Sequence, residues 1–251
     1  MIWLIARYEM KRMFYGPLAW VVLAVVLFIL AMLFLTLVDA FLSTIQPRFA
    51  GMEGAPGVTD SVVAPLLVWA GVLMLAVSPL LTMRAFAEER QRGSLTLLTS
   101  APVAPGEIVL GKFIGQVLFL LVMIGLLGLM PLSLVLGTTP DWGKVAAGLL
   151  GLFLLLSSFT AAGLYVSSLT SSPLIAAVSS LGLLLFLVVL FVAGSASGVE
   201  GGVFSYLSHF SHYLSFVKGI FDSADFVYYL LFILGFLTLT TRRLDNLRLL
   251  R

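Results

Sequence analysis

No cysteine occurs in the 251 residues, which excludes disulfides, thiolate nucleophiles and Cys-ligated zinc or iron–sulfur centres. Histidine is almost as scarce, at two residues, too few to build a metal centre unaided. Charge is the third shortage: 10% of residues are Asp, Glu, Lys or Arg, well under the share in an ordinary soluble domain. The 14 Lys/Arg and 12 Asp/Glu sum to +2, so no basic excess points to nucleic acid. What fills the chain is apolar, at 61% of residues, and that is a membrane composition.

A helix needs about 20 residues, at roughly 1.5 Å each, to cross the hydrocarbon of a bilayer. Six uncharged apolar runs approach or exceed that length: 17–38, 61–83, 113–136, 145–169, 173–193 and 226–241. The last is short and must draw on its flanks or sit where the bilayer is thin. Only Thr170, Ser171 and Ser172 separate the fourth run from the fifth, so those two form a tight hairpin, with Ser172 as cap and Pro173 in the first turn. A β-barrel would need alternating strands of about ten residues, and these runs are continuously apolar. The fold class predicted is all-α, integral to the membrane. The run at Pro17 is too long for a cleavable signal and lacks a small-residue cleavage site, so it reads as a retained anchor.

With six spans, both termini share one side. Arg7, Lys11, Arg12, Arg84, Arg90, Arg92, Lys112, Arg242, Arg243, Arg248 and Arg251 lie on that side, 11 of the 14 basic residues. The other side holds Arg48, Lys144 and Lys218 with seven acids: Asp39, Glu53, Asp60, Asp141, Glu200, Asp222 and Asp225. The bland total therefore divides into +6 and −4, and the positive-inside rule places both termini in the cytoplasm of a multi-pass inner-membrane protein. No charge falls deep within a run, which counts against proton pumps and secondary transporters and implies energy supplied from elsewhere.

Residues 1–16 set Trp3, Leu4, Ile5, Tyr8, Met13 and Phe14 among Arg7, Lys11 and Arg12, the pattern of an amphipathic helix on the cytoplasmic leaflet. The plainer reading is a basic flank that fixes topology. Between the second and third runs, 84–112 holds the densest charge cluster in the chain. Glu88 and Arg92 are i,i+4 partners, Leu95, Leu97 and Leu98 give a following segment an apolar surface, Gly93 allows a bend, and Pro102 and Pro105 stop the segment. A short helical elbow facing the cytoplasm follows, suited to docking into a cleft of a soluble protein. Within it, Gly106 to Lys112 has P-loop spacing, but Phe113 stands where Ser or Thr must hold magnesium and no buried strand precedes it. Lys112 is read instead as an interfacial anchor, and the Gly111/Gly115 pair as a weak helix-contact signal.

Six spans, an amphipathic first helix and a helical elbow between spans two and three resemble the membrane subunits of type-2 ABC exporters. The elbow carries the motif: Glu88-Glu89-Arg90-Gln91-Arg92-Gly93-Ser94-Leu95-Thr96-Leu97-Leu98, then Pro102-Val103 and Ile108-Val109-Leu110-Gly111-Lys112. The family usually reads Glu-Arg/Lys-x-x-Gly-Thr-x-Glu-x-Leu; here Ser94 and Thr96 replace the threonine and second glutamate. A second stretch, from Tyr206 through His212, Tyr213 and Gly219 to Asp222, Asp225 and Tyr228, resembles the subgroup found in gliding-motility complexes and in maturation of copper-containing nitrous oxide reductase. The resemblance implies a single type-2 transmembrane domain that is not itself an enzyme. ATP and Mg would be bound by two copies of a separate ABC ATPase subunit, and the chain would pair with a second permease copy or a homologous permease. The function implied is export driven by that ATPase. The alternative is a mechanotransmission or scaffold subunit that relays ATPase motion to a periplasmic or membrane-anchored accessory protein without moving cargo. Phe86, Glu88, Glu89, Arg90, Gly93, Leu95, Leu98 and Pro102 are the residues assigned to ATPase docking. Tyr206, His212, Tyr213, Gly219, Asp222 and Asp225 are assigned to an external partner or gate.

Outside, 194–225 contains an amphipathic stretch with Ser205, Ser208, His209, His212 and Ser215 on one face, predicted to lie in the interface or re-enter part way. His209 and His212 are spaced to share a metal, but a stable site needs three or four ligands, so both are read as interfacial polar residues. The first external loop, 39–60, is too short for a separate domain. Ser157, Ser158, Ser167, Ser168 and Ser179 lie in spans without a histidine or carboxylate to activate them, and are assigned to helix packing.

Overall fold

The computed structural model describes residues 1–48, 57–94, 103–196 and 207–249. Leu95, Leu98, Pro102 and Tyr206 lie outside the described residues, which contain helices and no strand. We label the helices α1 (Ile2–Tyr15), α2 (Pro17–Ala40), α3 (Ala64–Thr82), α4 (Ala87–Gln91), α5 (Pro105–Ser133), α6 (Trp142–Leu169), α7 (Pro173–Ala196), α8 (His209–Val217) and α9 (Ser223–Leu249). Six of them, α2, α3, α5, α6, α7 and α9, are long and apolar enough to cross a membrane, as the sequence predicts.

The helices overrun the apolar runs that mark them. Helix α2 passes Asp39 and continues through a π-helical turn, Phe41–Ile45, to Arg48. Helix α5 starts at Pro105, not Phe113, and α9 reaches from Ser223 past Thr241. The reason is that charge marks where a chain leaves hydrocarbon, whereas backbone hydrogen bonding continues into water until a cap or breaker ends it. Pro105 therefore does not stop the preceding segment. It occupies the first turn of α5, where a missing N–H costs nothing, and Ala104 before it is extended, as a pre-proline residue prefers. Pro17 opens α2 after the extended Gly16 in the same way.

Helix α6 is the centre of the bundle and contacts α3, α5, α7, α8 and α9. Its span is 72% buried, against 28% for α2, α7 and α9. The sequence of α6 makes this possible, because small residues on several faces let neighbours approach. A Cβ on Gly163 would lie 2.3 Å from Thr82 Oγ1 of α3, one on Gly148 2.5 Å from Leu67 Cδ1, and one on Gly151 2.4 Å from Phe216 Cβ of α8. Without a hydrophobic drive between helices in lipid, such close packing is what holds spans together.

A second apolar cluster joins Ala85 and Phe86 to Ile108 and Val109 of α5, Ala161 and Leu164 of α6, and Ile233, Leu237 and Leu244 of α9. It gathers the segment after α3, the start of α5 and the end of α9 at one end of the bundle. Helix α1 lies against α5 at that same end.

Candidate functional site

Four of the seven charges between Arg84 and Lys112 join a partly buried knot at that end. Glu9 and Arg12 come from α1, Glu88, Glu89 and Arg92 from α4 and its cap, and Lys112 from the second turn of α5. The Lys112 ammonium bonds Glu9 and lies 2.6 Å from Glu89 Oε1. Arg12 reaches Glu88 Oε2 at 2.9 Å, Glu89 Oε1 at 3.3 Å and Glu9 Oε1 at 3.6 Å. Arg92 closes the set on Glu88 Oε1 at 2.6 Å, the i,i+4 pair expected from the spacing. Burial alone would lower the Arg12 guanidinium, but the carboxylates of Glu9, Glu89 and Glu88 outweigh it and hold the group above its ordinary value. Three acids are matched by Arg12, Lys112 and the exposed Arg92, so each carboxylate drawn into the knot has a cationic partner, which is the condition for burying it.

Lys112 is thus not an interfacial anchor. Its side chain is 2% exposed, and its Nζ lies 5.2 Å from the centre of the Phe86 ring. Residues 105–112 open α5 as helix and form no glycine-rich loop that could cradle a phosphate in the P-loop manner.

The Gly111/Gly115 pair proves to be a helix contact, made with α1. A Cβ on Gly111 would stand 2.6 Å from Ile5 Cβ, and one on Gly115 2.8 Å from Glu9 Cβ and 2.9 Å from the Ala6 carbonyl oxygen. The close approach brings Glu9 to Lys112. It also sets the faces of α1: Ala6 and Glu9 point into the protein, while Trp3, Leu4, Tyr8 and Tyr15 are exposed.

Helix α4 has only five residues and cannot satisfy its own first amides. Ser167 of α6 does so from outside, its Oγ accepting from the N–H groups of Phe86 at 3.2 Å and Ala87 at 3.1 Å and donating to the Met83 carbonyl at 3.0 Å. At the other end Gly93 takes φ +74, the left-handed position that favours glycine, with its N–H on the Arg90 carbonyl. Of the residues assigned to docking, Phe86 is fully buried and Glu88 and Glu89 are turned into the knot, whereas Gly93 and the neighbouring Gln91 and Arg92 are exposed. Arg90 is half-buried with Nη1 3.5 Å from the Leu169 carbonyl.

The opposite end is organised by α8. Its buried face is His209, Phe210, Tyr213, Phe216 and Val217, so His209 belongs to the core and not to an interfacial polar face. The reason is physical: His209 finds partners inside. Its Nε2 is 2.6 Å from Ser158 Oγ of α6 and its Nδ1 3.1 Å from the Tyr228 hydroxyl, while Phe232 and Tyr229 pack on the ring. Burial, with His212 adding, pushes the imidazole down to about 3, so it is neutral and one nitrogen donates while the other accepts. Ser158 therefore does have a histidine beside it, supplied from outside the spans. Both residues are fully buried, and the second ring nitrogen meets the Tyr228 hydroxyl, so the pair joins α8 to α6 and α9.

His212 bonds Asp225 Oδ1 through Nδ1 at 2.6 Å and stacks on Tyr228. Tyr213 is wholly buried and donates to the Leu67 carbonyl at 2.7 Å. Gly219 ends α8 at φ +80, with its N–H on Phe216 and that of Ile220 on Ser215, a Schellman cap pressed against Lys144. Asp222 caps the turn into α9 by accepting from Ala224 N–H at 2.9 Å. Of the residues assigned to a partner or gate, the described ones, His212, Tyr213, Gly219, Asp222 and Asp225, therefore fall into one structured cap, in which His212 and Asp225 form a polar pair. Among the described residues, no group of His, Asp and Glu is placed to hold a metal ion.

One family model, described as ABC-2 family transporter protein, matches residues 3–247. The chain belongs to this family. It is also similar to the probable ABC transporter permease protein NosY of Pseudomonas aeruginosa, with 35% identity over 153 residues, 57% of this chain and 54% of that protein. The match thus spans about half the length of that relative. As an ABC-2 member, the chain is a membrane subunit of the ABC transporter class.

Proposed function

We propose that this chain is the permease subunit of an ATP-driven exporter, and that a cytoplasmic ATPase subunit docks on α4 and the residues after it. The observation that carries the reading is the mounting of α4. A five-residue helix with an exposed rim is anchored on α1 and α5 through the charge knot and on α6 through Ser167. A push on that rim is delivered to the central helix of the bundle rather than lost in a loop. The excess of Lys and Arg at this end supports a cytoplasmic position for it and for both termini, with the bundle in a bacterial inner membrane. ATP and Mg belong to the docked subunit, two copies of which would serve a pair of permeases.

A second reading, relay of motion to an external or membrane-anchored partner without cargo, is supported by the seating of α8. Helix α6 holds α4 at Ser167 and α8 at Ser158 and Gly151, so one rigid element about 24 Å long, at 1.5 Å per residue, joins the two ends. The docking proposal is tested with Arg90→Glu, which changes the rim and spares the knot. The variant should insert and fold as the parent but fail to retain the ATPase on co-purification; full retention with undiminished stimulation of ATP hydrolysis would overturn it. Purification with native partners then separates the two readings, since relay requires an external protein in fixed stoichiometry.

A further inference from the structure

Beside the charge knot, a cleft of about 250 Å³ opens between α1, the first turn of α2 and the last turn of α3. One wall is apolar, with Leu18, Ala19, Leu80 and Leu81. The other is polar, and two of its groups are left over from the pairing already described. Arg84 is exposed, and among the described residues no ion pair engages its guanidinium, while Arg12, Arg92 and Lys112 are matched by Glu9, Glu88 and Glu89. Gln116, 5% exposed, lines the cleft with its side-chain oxygen buried and without a hydrogen-bond partner. A buried acceptor without a donor is costly, and a donor-bearing ligand in the adjoining cleft would relieve that cost.

The cleft also sits at a defined depth. Its apolar residues are the first of the α2 run and the last of the α3 run, and Arg84 is the first charge beyond. That is the level at which phospholipid headgroups meet acyl chains.

We propose that this cleft binds a glycerophospholipid of the leaflet on the terminus side, with its phosphate on Arg84, its hydrogen-bond-donating headgroup substituent on Gln116 Oε1 and its acyl chains along Leu18 and Leu80. The surplus positive charge fits a phosphate. The orphan acceptor selects a headgroup that carries a donor, either the ammonium of an ethanolamine lipid or the hydroxyls of a glycerol lipid. A choline headgroup has the phosphate without the donor and fits poorly. Helix α1 forms part of the cleft, so the bound lipid braces the same knot that mounts α4. The inference stands whether or not an ATPase docks there.

The test is native mass spectrometry of the full chain released from micelles containing phosphatidylethanolamine, phosphatidylglycerol, phosphatidylcholine or diacylglycerol. The parent should retain the ethanolamine or glycerol lipid, or both, about tenfold better than the choline lipid, with diacylglycerol weakest. Arg84→Gln should reduce all three phospholipids to the diacylglycerol level, and Gln116→Leu should abolish the preference over choline while leaving phosphate-dependent retention. Retention of ethanolamine alone or glycerol alone identifies the donor as ammonium or hydroxyl. Equal retention of the three phospholipids by the parent overturns the proposal, as does an unchanged preference in Gln116→Leu. A lipid-independent dimer without bound lipid overturns it too, by giving the cleft to a second copy. The Gln116→Leu comparison decides the matter even if Arg84→Gln fails to fold.

Discussion

Replacing Lys112 with Met removes one charge from the knot with little change of volume. Lys112 is 2% exposed and its two partners, Glu9 and Glu89, are 7% and 15% exposed, so the carboxylates left behind have little water to turn to. Removing one member of a buried ion pair costs about 3–5 kcal/mol, because the survivor remains buried and uncompensated. Arg12 stays within 3.6 Å of Glu9 and 3.3 Å of Glu89 and takes up part of the loss, which points to the lower end of that range. A loss of about 3 kcal/mol is roughly a hundredfold in the folding equilibrium, since each 1.4 kcal/mol is about tenfold. The assay is equilibrium unfolding in mixed micelles followed by ellipticity. The second variant, Glu9→Gln/Lys112→Met, makes the knot neutral again and should recover most of the loss, giving a coupling of about 1–3 kcal/mol between the sites. If Lys112→Met unfolds with the parent, or if the double variant is no more stable than the single, the knot does not hold α1 and α4 to α5.

Two glycines of α5 offer a matched comparison: Gly115→Ala should destabilise by about 1–3 kcal/mol by driving a methyl into Glu9 and the Ala6 carbonyl, whereas Gly125→Ala, where a Cβ meets nothing within 4 Å, should be neutral or stabilising. The same micelle unfolding assay reads both, and equal effects would show that α1 does not depend on the close approach. His209 sets an acid limit. Its folded value of about 3 lies below the ordinary 6.5, so the unfolded chain binds the extra proton, and the group's contribution is full above pH 6.5 and is lost as pH falls toward 3. Across that window the parent should lose about 1.4 kcal/mol per pH unit more than His209→Gln, and parallel pH profiles would show that the imidazole is not buried as described.

The six spans were legible in the sequence because the signal for a span is carried by the residues inside it. Length, apolarity and the absence of charge act locally, and α6 between Trp142 and Leu169 illustrates how little the boundaries can move when a capping Asp141 precedes and a three-residue turn follows. Where the marker of the boundary was charge, as at Asp39 or Lys112, the helix ran on, since helices end for backbone reasons. Pro105 held the better signal for α5, a proline able to open a helix seven residues before Lys112.

The knot was half visible. Glu88 and Arg92 share a helix and could be paired by spacing, but Glu9 meets Lys112 only because Gly111 and Gly115 let α1 descend onto α5. The local trace of it was an acid on α1 among Ile2, Ile5, Ala6 and Met13, an apolar stripe where a carboxylate is out of place unless a cation faces it. His209 shows the same logic at the other end. Its polarity argued for water, and its place on the face of Phe210, Tyr213 and Phe216 argued for the core. The second consideration wins because Ser158 and Tyr228 replace the water, and both partners lie on other helices, beyond the reach of any periodicity within α8. A polar residue on an apolar stripe is therefore the most informative residue such a sequence holds, since it requires a partner from elsewhere and so predicts a long-range contact. In this chain Glu9, Lys112 and His209 each meet that description, and together they fix α1, α4 and α8 to the spans.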